Sequence, residues 1–145
     1  MGISSFAMPL KKTLQSGFTL MELMVSLAIV AILAAVAYPS YTRYLVKTKR
    51  SAAQSFVLGL ANKEEQYLLD ARQYTSTVSD LMTVPSDVSK NYTISITTGS
   101  TPPTYTITAT PVDSQASSDT ECQNLTLTQD GTKGISGTGT VSTCW

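Results

Sequence analysis

The chain has 145 residues, with 10 basic and 10 acidic side chains, no histidine and two cysteines. Histidine is the commonest general base and metal ligand, and two cysteines are too few for a structural zinc site. The sequence also has no serine elbow and no phosphate-binding loop. These features argue against an enzyme, and no cofactor or metal is expected.

The first 17 residues have the character of a leader. They are more polar than the residues that follow and include Lys11 and Lys12. In an ordinary signal peptide the cleavage site follows the apolar stretch. Here the processing-like boundary, between Gly17 and Phe18, precedes it. We therefore predict a leader over residues 1–17, whose removal keeps the apolar segment and makes Phe18 the first residue.

The next segment is apolar enough to enter a membrane. Residues 23–42 carry no charge, and Glu22 is the one charged residue between Leu14 and Tyr41. A helix of this length spans about 30 Å, the thickness of the hydrocarbon layer. We predict a transmembrane and assembly helix over residues 18–39. The alternative is the buried core helix of a soluble domain. Pro39 removes a backbone donor and can kink the helix where it continues.

The region after Pro39 is predicted to be an amphipathic helix that ends near residue 74. Its apolar residues recur every three or four positions, the period of one helical face. They are Leu45, Ala52, Ala53, Phe56, Val57, Leu60, Tyr67, Leu68 and Ala71. With the apolar half, this predicts one helix of roughly 50 residues, about 75 Å long.

The last half of the chain predicts antiparallel strands. Apolar and polar residues alternate over 92–97, 105–110 and 125–134, and Asp130-Gly131 is a hairpin turn signal. The predicted fold is therefore α+β, with three or four strands packed on the amphipathic helix. We expect residues 112–121 to form a connecting loop. The predicted inward residues are Tyr92, Ile94, Ile96, Tyr105, Ile107, Leu125 and Leu127.

Cys122 and Cys144 both lie in this strand-rich part. If that part is exported, an even cysteine count predicts a disulfide, which would stabilise the fold by about 3 kcal/mol. The alternative is a pair of buried thiols.

Charge bears on location and on partners. Residues 73–145 contain two basic and six acidic residues, and this excess of negative charge argues against a receptor for nucleic acid. A basic cluster, Arg43, Lys47, Lys49 and Arg50, follows the apolar run, and we expect it to contact lipid headgroups or to form a solvated helix face. The alternative is a site for a partner. By simple counting this cluster would place the C-terminal part in the cytoplasm. The predicted disulfide requires the C-terminal part to lie outside the cytoplasm, and the leader also favours that orientation.

The stretch GFTLMEL, residues 17–23, resembles the class III signal of type IV pilins at every position. AYPSY, which contains Pro39, matches the same family. The cysteine pair and the CW ending resemble low-abundance minor pilins of the type IVa group. The resemblance implies the type IV pilin fold, in which a long N-terminal helix packs on a small antiparallel sheet with a C-terminal disulfide loop.

The resemblance also implies roles for the first residues. Prepilin peptidase would cut between Gly17 and Phe18 and then N-methylate Phe18. Glu22 would pair with the Phe18 amine of a neighbouring subunit, which explains an otherwise costly carboxylate in the membrane. The alternative is a solitary carboxylate near the interface. A 17-residue leader is long for this group, and Met8 is an alternative start.

The implied function is a structural subunit of a type IV pilus, a minor pilin in pilus assembly, twitching motility and adhesion. Its expected partners are other pilin subunits, the prepilin peptidase, the assembly platform and the lipid bilayer. The subunit would cross the inner membrane once, with residues 40–145 outside the cytoplasm, and would become extracellular in the pilus. Two alternatives are a competence pilin that binds DNA and a type II secretion pseudopilin. The acidic tail weighs against the first, and the cysteine pair and CW ending weigh against the second.

Overall fold

A computed structural model describes residues 17–145. The leader predicted for residues 1–17, with Lys11 and Lys12, therefore lies outside the described residues except for Gly17. The chain forms two compact units, Met1–Pro39 and Ser40–Trp145.

The first helix, α1, covers Leu20–Ala71 and continues through Pro39. A kink at this proline stays a prediction. The helix ends three residues before the predicted limit because Arg72 adopts a left-handed conformation with φ of 58°. The Arg72 backbone N–H donates to the Leu68 carbonyl at 2.9 Å, which closes the last turn.

The second unit contains the predicted antiparallel sheet. Its four strands are β1 Tyr92–Ser100, β2 Pro103–Pro111, β3 Leu125–Thr128 and β4 Lys133–Ile135, in the order β1-β2-β3-β4. The β3–β4 turn has Gly131 at φ of 80°, a conformation that glycine adopts without steric cost. The α+β prediction is therefore confirmed.

The core lies between one face of this sheet and the second half of α1. Ile96 pairs with Ile107, and Ile107 pairs with Leu127, so alternate residues of three strands reach the same layer. Six of the seven predicted inward residues are buried, whereas Ile94 on the edge strand β1 is half-buried. The helix contributes Ala53, Phe56, Val57, Leu60 and Glu64 as its buried residues.

Four short helices complete the unit. They are α2 Val78–Leu81, α3 Ser86–Ser89, α4 Asp113–Ser118 and α5 Val141–Cys144. The predicted loop over residues 112–121 is wrong where α4 lies. The Gln115 side chain in α4 is buried and donates to the Val46 carbonyl at 3.1 Å. Such tertiary hydrogen bonds stabilise α4, which has no helical spacing of apolar residues from which it could be predicted.

Candidate functional site

The apolar segment is exposed along its whole described length. The exposed fractions of Phe18, Ile32 and Val36 are 78%, 68% and 73%. An 18-residue window of α1 has a mean hydropathy of 2.5, and none of it is buried. By length and composition this is a helix that could cross a membrane.

Glu22 lies in the first turn of α1. The Glu22 backbone N–H donates to the Thr19 hydroxyl at 3.2 Å, and the Leu23 N–H donates to the Thr19 carbonyl at 3.2 Å. Thr19 therefore caps the helix, and Thr-x-x-Glu is the sequence pattern of a capping box. This pattern can be read from residues 19–22, but it was not among the features predicted above. An anion in this turn also interacts favourably with the helix dipole.

Phe18 and Gly17 precede the helix, because α1 begins at Leu20. A Cβ atom built at position 17 would meet no atom of the described residues 17–145 within 4 Å, so packing against these residues does not require glycine there. In the uncleaved chain the Phe18 nitrogen belongs to a peptide bond. Cleavage at this boundary would turn that nitrogen into a free amine that could pair with a carboxylate such as Glu22.

The predicted disulfide joins Cys122 to Cys144, with an S–S distance of 2.01 Å and both residues buried. It fixes α5 beside the residues that precede β3. The Gly139 N–H donates to the Glu121 carbonyl at 2.7 Å. A Cβ atom at Gly137 would lie 2.2 Å from that same carbonyl oxygen, so glycine is required for this close approach. The glycine-rich segment is thus bonded to the chain around Cys122.

A buried polar network holds α1 against α4 and β1. Arg50 binds Asp119 through two nitrogens, with Nε–Oδ2 at 2.9 Å and Nη2–Oδ1 at 2.7 Å. The Asp119 carboxylate also accepts from Tyr92 Oη at 3.3 Å and from Gln115 Nε2 at 3.2 Å. Burial raises the pKa of Tyr92 to about 12, so its hydroxyl stays protonated and donates. In the sequence Asp119 was one of six acidic residues within residues 73–145, with no signal that distinguishes it from the others.

The other residues of the basic cluster lie close to this network. Arg43, Lys47 and Arg50 line one cleft of about 440 Å³ together with Asp119 and Glu121. Lys49 is not among the residues that line it. The structure thus brings together three of the four clustered basic residues and places two acidic residues opposite them.

The class of type IV pilins is defined by three features that this chain has. They are the motif at residues 17–23, an exposed helix long enough to cross a membrane, and an antiparallel sheet closed by a disulfide. Residues 12–38 match the model of the prokaryotic N-terminal methylation motif. Residues 39–126 match the family model described as "Type IV minor pilin ComP, DNA uptake sequence receptor", and the chain belongs to this type IV pilin family. As a pilin it is a structural protein and not an enzyme.

Several pilins are similar to part of the chain. The type IV major pilin protein PilE1 of Neisseria gonorrhoeae is 39% identical over 82 residues, which cover 55% of this chain and 50% of that protein. A fimbrial protein of Pseudomonas aeruginosa is 40% identical over 65 residues, covering 45% of this chain and 42% of its own. The type IV major fimbrial protein FimA of Dichelobacter nodosus is 44% identical over 61 residues, covering 42% and 38%. The chain thus spans about half or less of the length of these curated relatives.

A type IV pilin structure from Shewanella oneidensis aligns with a TM-score of 0.49 and 19% identity. The alignment covers 61% of this chain and 89% of that one.

Proposed function

We propose that the chain is a minor subunit of a type IV pilus, held in the inner membrane by residues 18–39 until it is assembled. The observation that carries this proposal is the exposed apolar segment, whose 18-residue window has a mean hydropathy of 2.5 and no buried residue. Water contact with such a surface is unfavourable, so lipid or the helices of other subunits must cover it.

The proposed maturation is cleavage between Gly17 and Phe18 by a prepilin peptidase, followed by N-methylation of Phe18. The methylation-motif match spans this boundary. Glycine at position 17 has no packing role against the part of the chain that the structure describes, which supports a requirement set by an outside enzyme. Methylation of the new amine keeps its positive charge.

Glu22 is proposed to bind the Phe18 amine of a neighbouring subunit. Because α1 begins at Leu20, the same chain's Phe18 is not held above Glu22 on one helical face. A carboxylate in the hydrocarbon layer costs about 3 kcal/mol even on a lenient insertion scale, and an amine partner reduces that cost. A helix in the wrong register would leave both charges unpaired, so the pair would select the register of assembly.

The further proposed roles follow from pilus membership. The relatives PilE1 and FimA are major pilins, whereas the matching family is described as a minor pilin. The minor role, twitching motility, adhesion and the assembly platform as a partner are part of the proposal. So is the placement of residues 40–145 outside the cytoplasm.

Mass spectrometry of sheared surface filaments tests this function. We expect a chain that starts at methylated Phe18, carries the Cys122–Cys144 disulfide and is present at low stoichiometry relative to another pilin. Recovery of the chain in cell envelopes but never in surface filaments would favour the pseudopilin alternative. Recovery as an unprocessed soluble monomer would contradict the proposal.

A second candidate function is DNA binding, favoured by the words "DNA uptake sequence receptor" in the description of the matching family. The charge of residues 73–145 opposes it, because these residues carry six acidic and two basic side chains. The basic cluster in the second unit is the part that could contact phosphates.

Fluorescence anisotropy of a labelled DNA duplex, titrated with the full chain in detergent micelles, discriminates between the two functions. Salt dependence is the decisive readout, since each neutralised phosphate adds to the slope of affinity against salt concentration. Tight binding with a steep slope would place DNA binding first. Weak binding at low salt would keep it second.

A further inference from the structure

The second unit contains a cleft lined by charged and hydroxyl side chains that have no part in the proposed assembly role. We call it the basic cleft. It has a volume of about 440 Å³ and lies between α1 and the residues that follow α4. Its lining residues are Thr42, Arg43, Val46, Lys47, Arg50, Ser118, Asp119, Thr120, Glu121 and Thr143.

The charge of the basic cleft is positive once its internal ion pair is considered. Arg50 and Asp119 neutralise each other through two hydrogen bonds, the shorter at 2.7 Å. The remaining charged residues of the lining are Arg43 and Lys47 against Glu121. The hydroxyl groups of Ser118 and Thr120 also line the cleft, and hydroxyls can donate to oxyanions. This combination suits a singly charged phosphate diester.

The place of these residues along the chain indicates where such a phosphate would come from. Arg43 and Lys47 follow the uncharged run of residues 23–42 by one and five positions. Even a fully extended chain would keep Lys47 within about 18 Å of the end of that run. Within the second unit, Tyr41 and Tyr44 have exposed fractions of 61% and 67%. Exposed tyrosines beside basic residues are typical of the membrane–water interface.

We propose that the basic cleft binds the phosphate of an anionic phospholipid headgroup while the subunit is stored in the membrane. This inference rests on the membrane anchoring in the proposed function. Arg43 and Lys47 supply the charge, and the cleft hydroxyls supply neutral donors. The headgroup would hold the first turns after the apolar segment at the bilayer surface, and it would be released when the subunit leaves the membrane for a filament.

The test is native mass spectrometry of the full chain in detergent, titrated with phosphatidylglycerol or with phosphatidylcholine. We expect the wild-type chain to retain phosphatidylglycerol in preference. The double variant Arg43→Gln/Lys47→Gln should lose roughly thirty-fold in phosphatidylglycerol affinity, the size expected from two basic side chains near an anionic surface. Both side chains are exposed, so the variant should fold, and its thermal unfolding midpoint serves as the check.

Lys63→Gln/Lys90→Gln is the matched control, because it removes two exposed basic side chains outside the basic cleft and has the same net charge. Retention of the lipid by this control supports the proposal, and an equal loss in both double variants overturns it. Displacement of the lipid by soluble glycerol phosphate at equal concentration would also overturn it, since the site would then bind a free anion. Loss of DNA binding without loss of lipid binding in Arg43→Gln/Lys47→Gln would assign the cluster to nucleic acid and overturn it too. The proposed function is tested separately, by whether the chain is present in sheared filaments. Lipid retention is measured without filaments, so either proposal can fail without the other.

Discussion

The two units of the chain treat their large apolar side chains in opposite ways. In the first unit, Ile32 and Val36 have exposed fractions of 68% and 73%. In the second, Leu60, Ile107 and Leu125 are fully buried. The second unit therefore satisfies its apolar groups within the chain, whereas the first has to do so with lipid or with other subunits. It follows that substitutions in the first unit should change assembly, and substitutions in the second should change stability.

The largest effect on assembly without an effect on stability is expected at Glu22. Glu22→Ala should still insert and be processed, but its incorporation into filaments should fall more than tenfold, because the proposed pairing with the Phe18 amine of a neighbour would be lost. The measurement is the ratio of the chain in sheared filaments to the chain in membranes. The unfolding midpoint of the second unit should stay unchanged.

Glu22→Gln separates the charge of Glu22 from its position in the capping pattern with Thr19. Glutamine is also accepted at this position of a capping box, so the helix start is retained while the charge is lost. Glu22→Gln should fail like Glu22→Ala. Normal incorporation of Glu22→Gln would show that the helix start, and not the charge, is what assembly requires. Ser26→Ala, a polar-to-apolar change one turn further on, is the control and should assemble normally.

In the second unit the largest stability effect is expected at Arg50. Arg50→Met leaves the buried Asp119 carboxylate without its cation, which should lower the free energy of unfolding by about 3–5 kcal/mol. Arg50→Met/Asp119→Asn removes both charges and should recover a large part of that loss. The measurement is the denaturant midpoint of the full chain in micelles, with Lys63→Met as the exposed control on α1. Equal destabilisation by the single and double variants would show that the ion pair has no special role.

The disulfide should contribute slightly less. Cys122→Ser/Cys144→Ser should lower the free energy of unfolding by about 3 kcal/mol, because the cross-link restricts the unfolded chain over 22 positions. Reduction of the wild-type disulfide with a thiol should give the same midpoint as the double variant. A reduced wild type that keeps its original midpoint would contradict this account.

Local pattern was enough for much of this molecule. Alternation predicted β1 and β2, Asp130-Gly131 predicted the β3–β4 turn, and the apolar run predicted the exposed first unit. The cysteine pair predicted the disulfide, on the condition that this part of the chain is exported. In each case the deciding interaction lies within a few residues or in the composition of one segment.

The missed features depend on partners far away in the sequence. Arg50 and Asp119 are 69 positions apart, as are Val46 and Gln115, so neither α4 nor the network has a local signal. Two features were readable and were missed. Thr19 and Glu22 have capping-box spacing, and Glu64 follows Leu60 by four positions on the apolar face of α1.

The buried Glu64 gives the smallest predicted change in the free energy of unfolding, and this change depends on pH. Glu64 is fully buried, and its Oε2 accepts from the Thr75 N–H at 3.1 Å, while Oε1 has no hydrogen-bond partner among the described residues. Burial raises the pKa of Glu64 above its ordinary value of 4.5, against the lowering effect of the Thr75 bond. The folded state therefore binds the proton more tightly than the unfolded state. The stability that this proton gives is complete below pH 4.5 and is lost as pH rises through the folded-state pKa.

Glu64→Gln keeps the acceptor for Thr75 and has no proton to lose. It should therefore match the wild type at low pH and exceed it at neutral pH, by about 1 kcal/mol or less, with a flatter dependence of stability on pH. Denaturant midpoints of the full chain at several pH values above 4.5 provide the measurement. Asp70→Asn, an exposed carboxylate change on the same helix, should leave the slope unchanged. A Glu64→Gln slope as steep as that of the wild type would mean that other groups cause the pH dependence of the second unit.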